Sequence, residues 1–572
     1  MSECGFLSRS FEGLNVLVAV PHEDDELNSA GALLYTLAHN GARVTLVYAT
    51  NGDWKYPAKT RMDEAVRAAG MLGVPEDRIL FLGYGDAAAG EARDHLFYHD
   101  AEPAVSHAGH RETYGAGKYQ DYAFRREGRH HAYTCGNYLA DLLSVLRETR
   151  PELIIATDFD EHPDHRMLAL YVDRAVGLLR REDPSFRPTL WKRFAYCLAY
   201  TAEADYSAVN NPETRLPRVG VTEKYGWDLV GSSIYDWDRR IRIPLHAGAR
   251  EPELSKNLLA RVLDCHHSQY IVRKADRILN SDEVYWPRRT DSLGCMAEVT
   301  ASTGDASLLN DFMLYDTTDV DAPVPPLTGF WQPDGADTEK TARFTWREPV
   351  DIARVALFGP MGREGTDGEA ELRFSDGTRV TVPILPCGRP SEVSVGLRGI
   401  TSCEIRLLSG GDLGLAEAEF YPTEAFEGCV APFCKLLIGD NFAYDYAVDE
   451  DVPRLKTGCY RFGDPGVVTI RTEGCRSAVE GDELILDPAD RTVTLTAADG
   501  TGAVLDRAVI RRLSGEEMER LRAADRKNAA FLQRKRRMYK LHNMLFILRR
   551  QGPLSVVKRT VNNVILPRLG RR

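Results

Sequence analysis

Along the first 200 residues the hydrophobic positions switch repeatedly between two patterns. The short apolar runs "LNVLVAV", "ARVTLVYAT", "RILFLGYGD" and "ELIIATDFD" read as strands buried on both faces. Between them, "LNSAGALLYTLAHNG", "TRMDEAVRAAGMLGV" and "GNYLADLLSVLRETRP" place apolar residues at helical spacing. Such alternation predicts an α/β domain with a mostly parallel sheet, here over residues 1–295. Residues 87–135 interrupt it with a polar stretch rich in His, Tyr and Gly. That is too long for a connector and predicts an insertion or lid at the active site.

From about residue 297 the period shortens. "ARFTWREPVDIARVALFG", "EAELRFSDGTRVTVPIL" and "SEVSVGLRGITSCEIRLLS" alternate in twos between Gly/Asp turns, the pattern of an antiparallel sandwich over residues 296–424. A second, smaller all-β domain is expected over 425–513, with "VVTIRT", "DELILD" and "TVTLTA" as strands. Residues 514–572 read as a basic amphipathic helical tail, with Phe531, Met538, Leu541, Leu545 and Leu548 at helical spacing. No internal repeat of fixed period is visible.

Charge adds to this picture. The chain of 572 residues has a formal net charge of -12, but residues 511–572 hold 18 Lys/Arg against 4 Asp/Glu. An acidic body with a basic tail argues against a general nucleic-acid binder. The tail has two stronger readings: a helix that lies on an anionic membrane, or one that docks on a partner or on the body of the chain. No run reaches the roughly 18 apolar residues of a membrane span. The opening "MSECGFLSRSFEG" has no apolar signal core, and the 11 cysteines form no CxxC pair. The expectation is a cytoplasmic protein, peripheral at the inner membrane face if the tail binds lipid.

The candidate chemistry lies where strands end. In parallel α/β sheets, ligands bind beyond the carboxyl ends of the strands. "HEDDE", His22 to Glu26, follows the first strand, and "DFDEHPDHR", Asp158 to Arg166, follows the strand "ELIIAT". Adjacent carboxylates repel one another unless a cation or a set of donors holds them. Brought together, His22, Asp25 and His165 supply two imidazoles and a carboxylate, a ligand set for a catalytic zinc with an open water position; iron(II) or cobalt(II) also suits it. Asp24 is then placed to act as general base, and His162 to stabilise an oxyanion or protonate a leaving amine. Asp164 is placed to hold one imidazole in the correct tautomer.

"PHEDDE" together with "HPDHR" resembles the PIG-L/LmbE-like N-acetylglucosaminide deacetylases, whose first motif usually reads (P/A)HPDDE. "TNGD" ending at Asp53, Arg61 and Glu64 before "AAGMLGV", "FLGYGD" ending at Asp86 and "HHSQ" ending at Gln269 extend the likeness over roughly residues 13–290. The resemblance implies a Rossmann-like fold, zinc dependence and removal of acetyl from an N-acetylated glucosamine. It implies His22, Asp25 and His165 as metal ligands, Asp24 as base and His162 as electrostatic catalyst, with Arg61 and Asp86 as sugar contacts. Glu23 departs from the pattern by replacing the usual proline. Asp160 stands where some relatives carry a tyrosine, and Tyr114 in the insertion is a candidate substitute that contacts substrate. The segment 297–422 resembles discoidin-like or galactose-binding-like domains, which often bind carbohydrate.

Blander readings stand beside these. Arg61 alternatively pairs with Glu64 or another neighbour, and His266-His267 read as core and helix end. Trp331 and Trp346 are either stacking platforms or core. The expected activity is metal-dependent hydrolysis of the acetamide of an N-acetylhexosamine unit in a glycan, glycolipid or glycan precursor. The alternatives are an amidase for a non-sugar amide and a non-catalytic carbohydrate-binding scaffold.

Overall fold

In a computed structural model of the chain, the described residues are 5–86, 96, 99, 102–160, 162–195, 209–215, 237–270, 278–314, 329–360, 368–386, 388–408 and 413–551. Parts of the expected insertion (residues 87–95), of the expected sandwich (315–328) and of the tail (552–572) lie outside them.

The apolar runs form strands β1 (Asn15–Val20), β2 (Arg43–Thr50), β3 (Ile79–Tyr84), β4 (Leu153–Thr157) and β5 (Thr189–Arg193), followed by β6 (Ile241–Pro244) and β7 (Asp282–Arg288). They make one seven-stranded sheet in the order β3-β2-β1-β4-β5-β7-β6. The first five run parallel, and β7 pairs antiparallel with both β5 and β6. Helices α1 (Asp25–His39), α2 (Ala58–Met71), α3 (Tyr122–Glu127), α4 (Cys135–Thr149), α5 (Pro163–Glu182) and α6 (Leu258–Leu263) accompany it. Strands β3, β4 and β5 are buried at every position, because helices cover both faces and leave none for polar side chains. The chain runs from β1 outward through β2 to β3, then returns to place β4 on the other side of β1. The loops after β1 and β4 therefore diverge at the switch point of the sheet, where such folds open a crevice.

Residues 298–421 form a six-stranded antiparallel sheet dominated by two 18-residue strands, Thr341–Phe358 and Pro390–Leu407. Their register breaks three times between Ser394 and Ser402, so the long strands bend around the core. Trp331 (0% exposed) and Trp346 (5%) belong to that core, which settles them as packing residues rather than stacking platforms. Residues 433–513 build a five-stranded and a four-stranded sheet around a shared apolar core, with one parallel pair, Asp445–Asp449 against Val504–Leu513. The final helix is Gly515–Gln551.

These parts do not have separate interiors. Phe312, Ala356, Phe358 and Tyr421 join the core on one face of the α/β sheet, while Val430, Phe433 and Leu532 join the core on the other. Gly177 on α5 permits the first contact: a Cβ there would stand 2.5 Å from Phe312 Cβ. The bidentate Arg288–Glu419 pair, buried, ties β7 to strand Glu417–Tyr421 at 2.6 and 3.0 Å.

The C-terminal helix docks along Asn528, Leu532, Lys535, Asn543 and Phe546. Asn528 caps the chain at Leu254 and Pro252, Lys535 meets Asp264 at 2.5 Å, Lys55 donates to Asn543 at 2.7 Å, and Phe546 packs on Tyr56. The helix thus docks on the body, one of the two readings open from sequence, and does so mostly without the apolar stripe. Phe531 is partly buried, but Met538, Leu541, Leu545 and Leu548 point to solvent, because the helix meets the body through its aromatic and polar side instead. Among the described residues no helix is long and apolar enough to cross a membrane.

Candidate active site

The turn after β1 is tight: His22 O accepts the N–H of both Asp24 and Asp25, and α1 starts at Asp25. The turn after β4 is built as a helix start. His162 caps α5, its Nδ1 accepting from Asp164 N at 3.2 Å, Pro163 takes the first helical position, and His165 follows within the first turn. His22, Asp25 and His165 converge from these two turns.

Their facing atoms form a triangle. His22 Nδ1 lies 3.0 Å from Asp25 Oδ2, His165 Nε2 lies 3.3 Å from the same oxygen, and the two nitrogens are 3.3 Å apart. Ligands about 2.0–2.2 Å from a tetrahedral zinc stand about 3.3 Å from one another, so three corners of such a site are present. Each imidazole has a carboxylate on its far nitrogen, Asp164 Oδ2 at 3.0 Å from His22 Nε2 and Asp160 Oδ2 at 2.8 Å from His165 Nδ1. That arrangement puts the proton on the far nitrogen and turns a lone pair toward the triangle. Asn28 Nδ2 orients Asp25 through Oδ1 at 2.9 Å. His162 adds a third imidazole, its ring centroid 4.7 Å from that of His22 and 4.9 Å from that of His165. The donor set thus fits a divalent cation held by His22, Asp25 and His165.

The electrostatics agree. Burial alone would lower the pKa of both imidazoles, yet Asp86, Asp164 and Asp25 raise His22 well above its ordinary value. Asp160 and Asp25 likewise carry His165 up to about 9. Asp25 is itself held well below the carboxylate range by His165 and His22, against the effect of burial. A cluster that pulls protons onto two buried imidazoles is short of positive charge, the deficit a metal ion fills. His162 moves the other way, down to about 4, through burial and then the positive charge of His22.

Asp24, next in the chain to Asp25 and 4% exposed, accepts from Arg61 Nη2 through its Oδ1 at 2.9 Å. Arg61 Nε stands 3.6 Å from Glu23 Oε2, so the guanidinium lies among carboxylates behind the site. Gly52, in the left-handed region at φ +51, makes room for this pair: a Cβ would lie 2.4 Å from Glu23 Oε2 and 2.8 Å from Arg61 Cζ. Asp86 Oδ1 is 3.6 Å from His22 Nε2, and Asp86 N donates to Asp53 Oδ1 at 3.0 Å. Tyr114 reaches the rim, donating to Asp53 Oδ2 at 2.5 Å and stacking on His110 at 4.0 Å between centroids.

Several supporting residues escaped the sequence reading. Asp160 reads from sequence only as a departure from the family pattern, and its spacing of five from His165 is the available signal. Asp53 ends the TNGD motif, which by itself gives it no role. His266 is core, as expected, and its buried Nε2–H donates to Glu26 Oε1 at 2.6 Å; Glu64 accepts from Ser268 N and Oγ at 2.9 and 2.6 Å. Nothing in the sequence spacing pairs these residues across more than 200 positions.

Residues 17–176 match the family model "PIG-L: GlcNAc-PI de-N-acetylase". Among curated proteins, a 1D-myo-inositol 2-acetamido-2-deoxy-alpha-D-glucopyranoside deacetylase of Streptomyces scabiei is 31% identical over 189 residues, 31% of this chain and 52% of the relative. One of Streptomyces avermitilis is 29% identical over 187 residues, 31% of this chain and 56% of the relative. The chain thus spans about half the length of the curated relatives it matches. Among solved structures, an N,N'-diacetylchitobiose deacetylase from Pyrococcus horikoshii is 20% identical, covering 33% of this chain and 64% of its own, at a TM-score of 0.22. An F5/8 type C domain from Bacteroides fragilis is 14% identical, covering 23% and 93%, at a TM-score of 0.17. The family assignment rests on the sequence match and on the geometry at the switch point: residues 17–176 are a PIG-L family domain.

Proposed function

We propose that the chain is a metal-dependent deacetylase that hydrolyses the acetamide of an N-acetylglucosamine unit in a glycan, glycolipid or glycan precursor, releasing acetate. The triangle of His22, Asp25 and His165, with Asp164 and Asp160 behind its imidazoles, is the observation that carries this reading. The names of the curated relatives support the acetylated glucosamine as substrate class. Zinc suits two nitrogens and one oxygen, and iron(II) or cobalt(II) is accommodated by the same set.

A divalent cation there supplies a Lewis acid for the acetamide carbonyl and an acidified water. The protein does the rest. Arg61 engages one oxygen of Asp24 and fixes the carboxylate, and Asp24 accepts the proton of the attacking water. Asp24 returns that proton to the amine nitrogen as the C–N bond breaks. His162, fixed as the cap of α5, offers a ring N–H to the oxyanion. Tyr114 and Asp86, joined through Asp53, form the rim that meets the sugar hydroxyls.

The test joins metal content to acetate release. Chain purified without added metal should hold about one zinc or iron by elemental analysis, lost in His165→Ala. It should also release acetate from an N-acetylglucosaminyl-inositol or another N-acetylglucosaminide. Metal without acetate release from any N-acetylated sugar would move the reading to a non-sugar amide. A metal-free chain that cannot be reloaded would leave a binding protein.

A further inference from the structure

The C-terminal helix Gly515–Gln551 presents two faces that differ in kind. One lies on the α/β domain through Leu532, Lys535, Asn543 and Phe546. At about 100° per residue, Leu541, Met544 and Leu548 lie roughly on the opposite side, with Leu545 and Met538 toward its edge, where Met538 also lines a groove with Leu263 and Tyr270 of the body. Met538, Leu541, Met544, Leu545 and Leu548 are 59, 53, 44, 42 and 42% exposed. Five of the twelve exposed large hydrophobic side chains among the described residues thus fall within eleven positions, which makes a patch rather than scattered exposure. Arg534, Arg537 and Lys540 are exposed beside it. After Asp525 the sequence holds fourteen Lys/Arg and no acidic residue.

We infer that this face docks on an anionic lipid surface. On such a surface the apolar side chains of this last stretch sink to the acyl boundary while the cations interspersed with them reach out to anionic headgroups. Charge decides against the same face of a second copy, which would set Arg534, Arg537 and Lys540 against their own counterparts. The helix's inner face also grips the loop after β2, through Lys55–Asn543 and Tyr56–Phe546, two and three residues beyond Asp53 of the cleft. A surface-bound helix therefore holds the cleft near the lipid headgroups. This inference is independent of the deacetylase reading.

Sedimentation of the full chain with vesicles tests it. Binding is expected to vesicles of phosphatidylcholine mixed with phosphatidylglycerol, not to phosphatidylcholine alone, and should weaken with added salt. The double variant Leu541→Asp/Leu545→Asp should bind at least ~10-fold more weakly. The triple variant Arg534→Glu/Arg537→Glu/Lys540→Glu should lose roughly 100-fold or more. All five positions are exposed, so far-UV circular dichroism and melting should match wild type; if the double variant unfolds, the triple variant carries the test. Absence of binding to anionic vesicles overturns the inference, as does binding that both variants retain. A wild-type dimer that fails to bind vesicles and dissociates on Leu541→Asp/Leu545→Asp would assign the face to a second copy instead.

Discussion

His165 Nδ1 lies 2.8 Å from Asp160 Oδ2, which leaves His165 Nε2 to face His22 Nδ1 at 3.3 Å. Asp160 therefore sets the tautomer of a proposed metal ligand without touching the triangle itself. Carboxylates in this position typically contribute 10- to 100-fold to metal affinity. Asp160→Ala is expected to weaken zinc binding by about that factor in a chelator competition, with the helical signal of α5 unchanged. Wild-type affinity in the variant would remove Asp160 from the site.

Asp24 and Arg61 make the second test. With Arg61 Nη2 2.9 Å from Asp24 Oδ1, Asp24→Asn keeps the shape and the contact but cannot take a proton. The variant should bind metal normally and lose at least ~10²-fold in kcat, the lower end of general-base contributions. Near-wild-type turnover would give the proton transfer to another group.

Stability should depend most sharply on Arg288 and Glu419, the buried pair between the α/β sheet and the following β-domain. Glu419→Ala takes away the carboxylate that neutralises the buried guanidinium, which keeps only the carbonyls of Arg289 and Phe312 as direct partners, at a cost of about 3–5 kcal/mol, read as a lowered melting midpoint. The double variant Arg288→Met/Glu419→Leu removes both charges and should recover most of that loss. A double variant as unstable as the single one would show that packing, not charge, dominates there.

The parallel sheet and the two turns that carry the site motifs are legible because they are local: continuous apolar runs make buried strands, and strand ends carry the motifs. Asp160, Glu26 and Glu64 were not assigned because a carboxylate's partner is chosen by the fold, as with Glu26 and His266, 240 positions apart. The docked face of the C-terminal helix is hidden in the sequence for a related reason. An apolar stripe shows which side a helix would bury against something apolar, but this helix meets the body through Asn528, Lys535 and Asn543, residues that read as solvent-facing. The shared cores were equally hidden, since Phe312 and Phe433 look like ordinary core residues of whichever domain contains them.

Asp311 links the same interface to pH. Burial, only partly offset by the Met313 N–H and Arg174, pushes its carboxyl up to about 7, and burial also raises its neighbour Glu417. In the unfolded chain both groups titrate near pH 4. Between about pH 4 and 7 the folded chain keeps a proton on Asp311 that the unfolded chain has released, so this contribution to stability falls as pH rises through that window and is flat above it. The full change for Asp311 is on the order of 4 kcal/mol. Asp311→Asn keeps an acceptor for Met313 N, which Asp311 Oδ1 now meets at 2.9 Å, and has no proton to lose. Its melting midpoint relative to wild type should therefore be higher at about pH 8 than at about pH 5. An offset that is the same at both values would mean that Asp311 titrates in the folded chain as it does in the unfolded one.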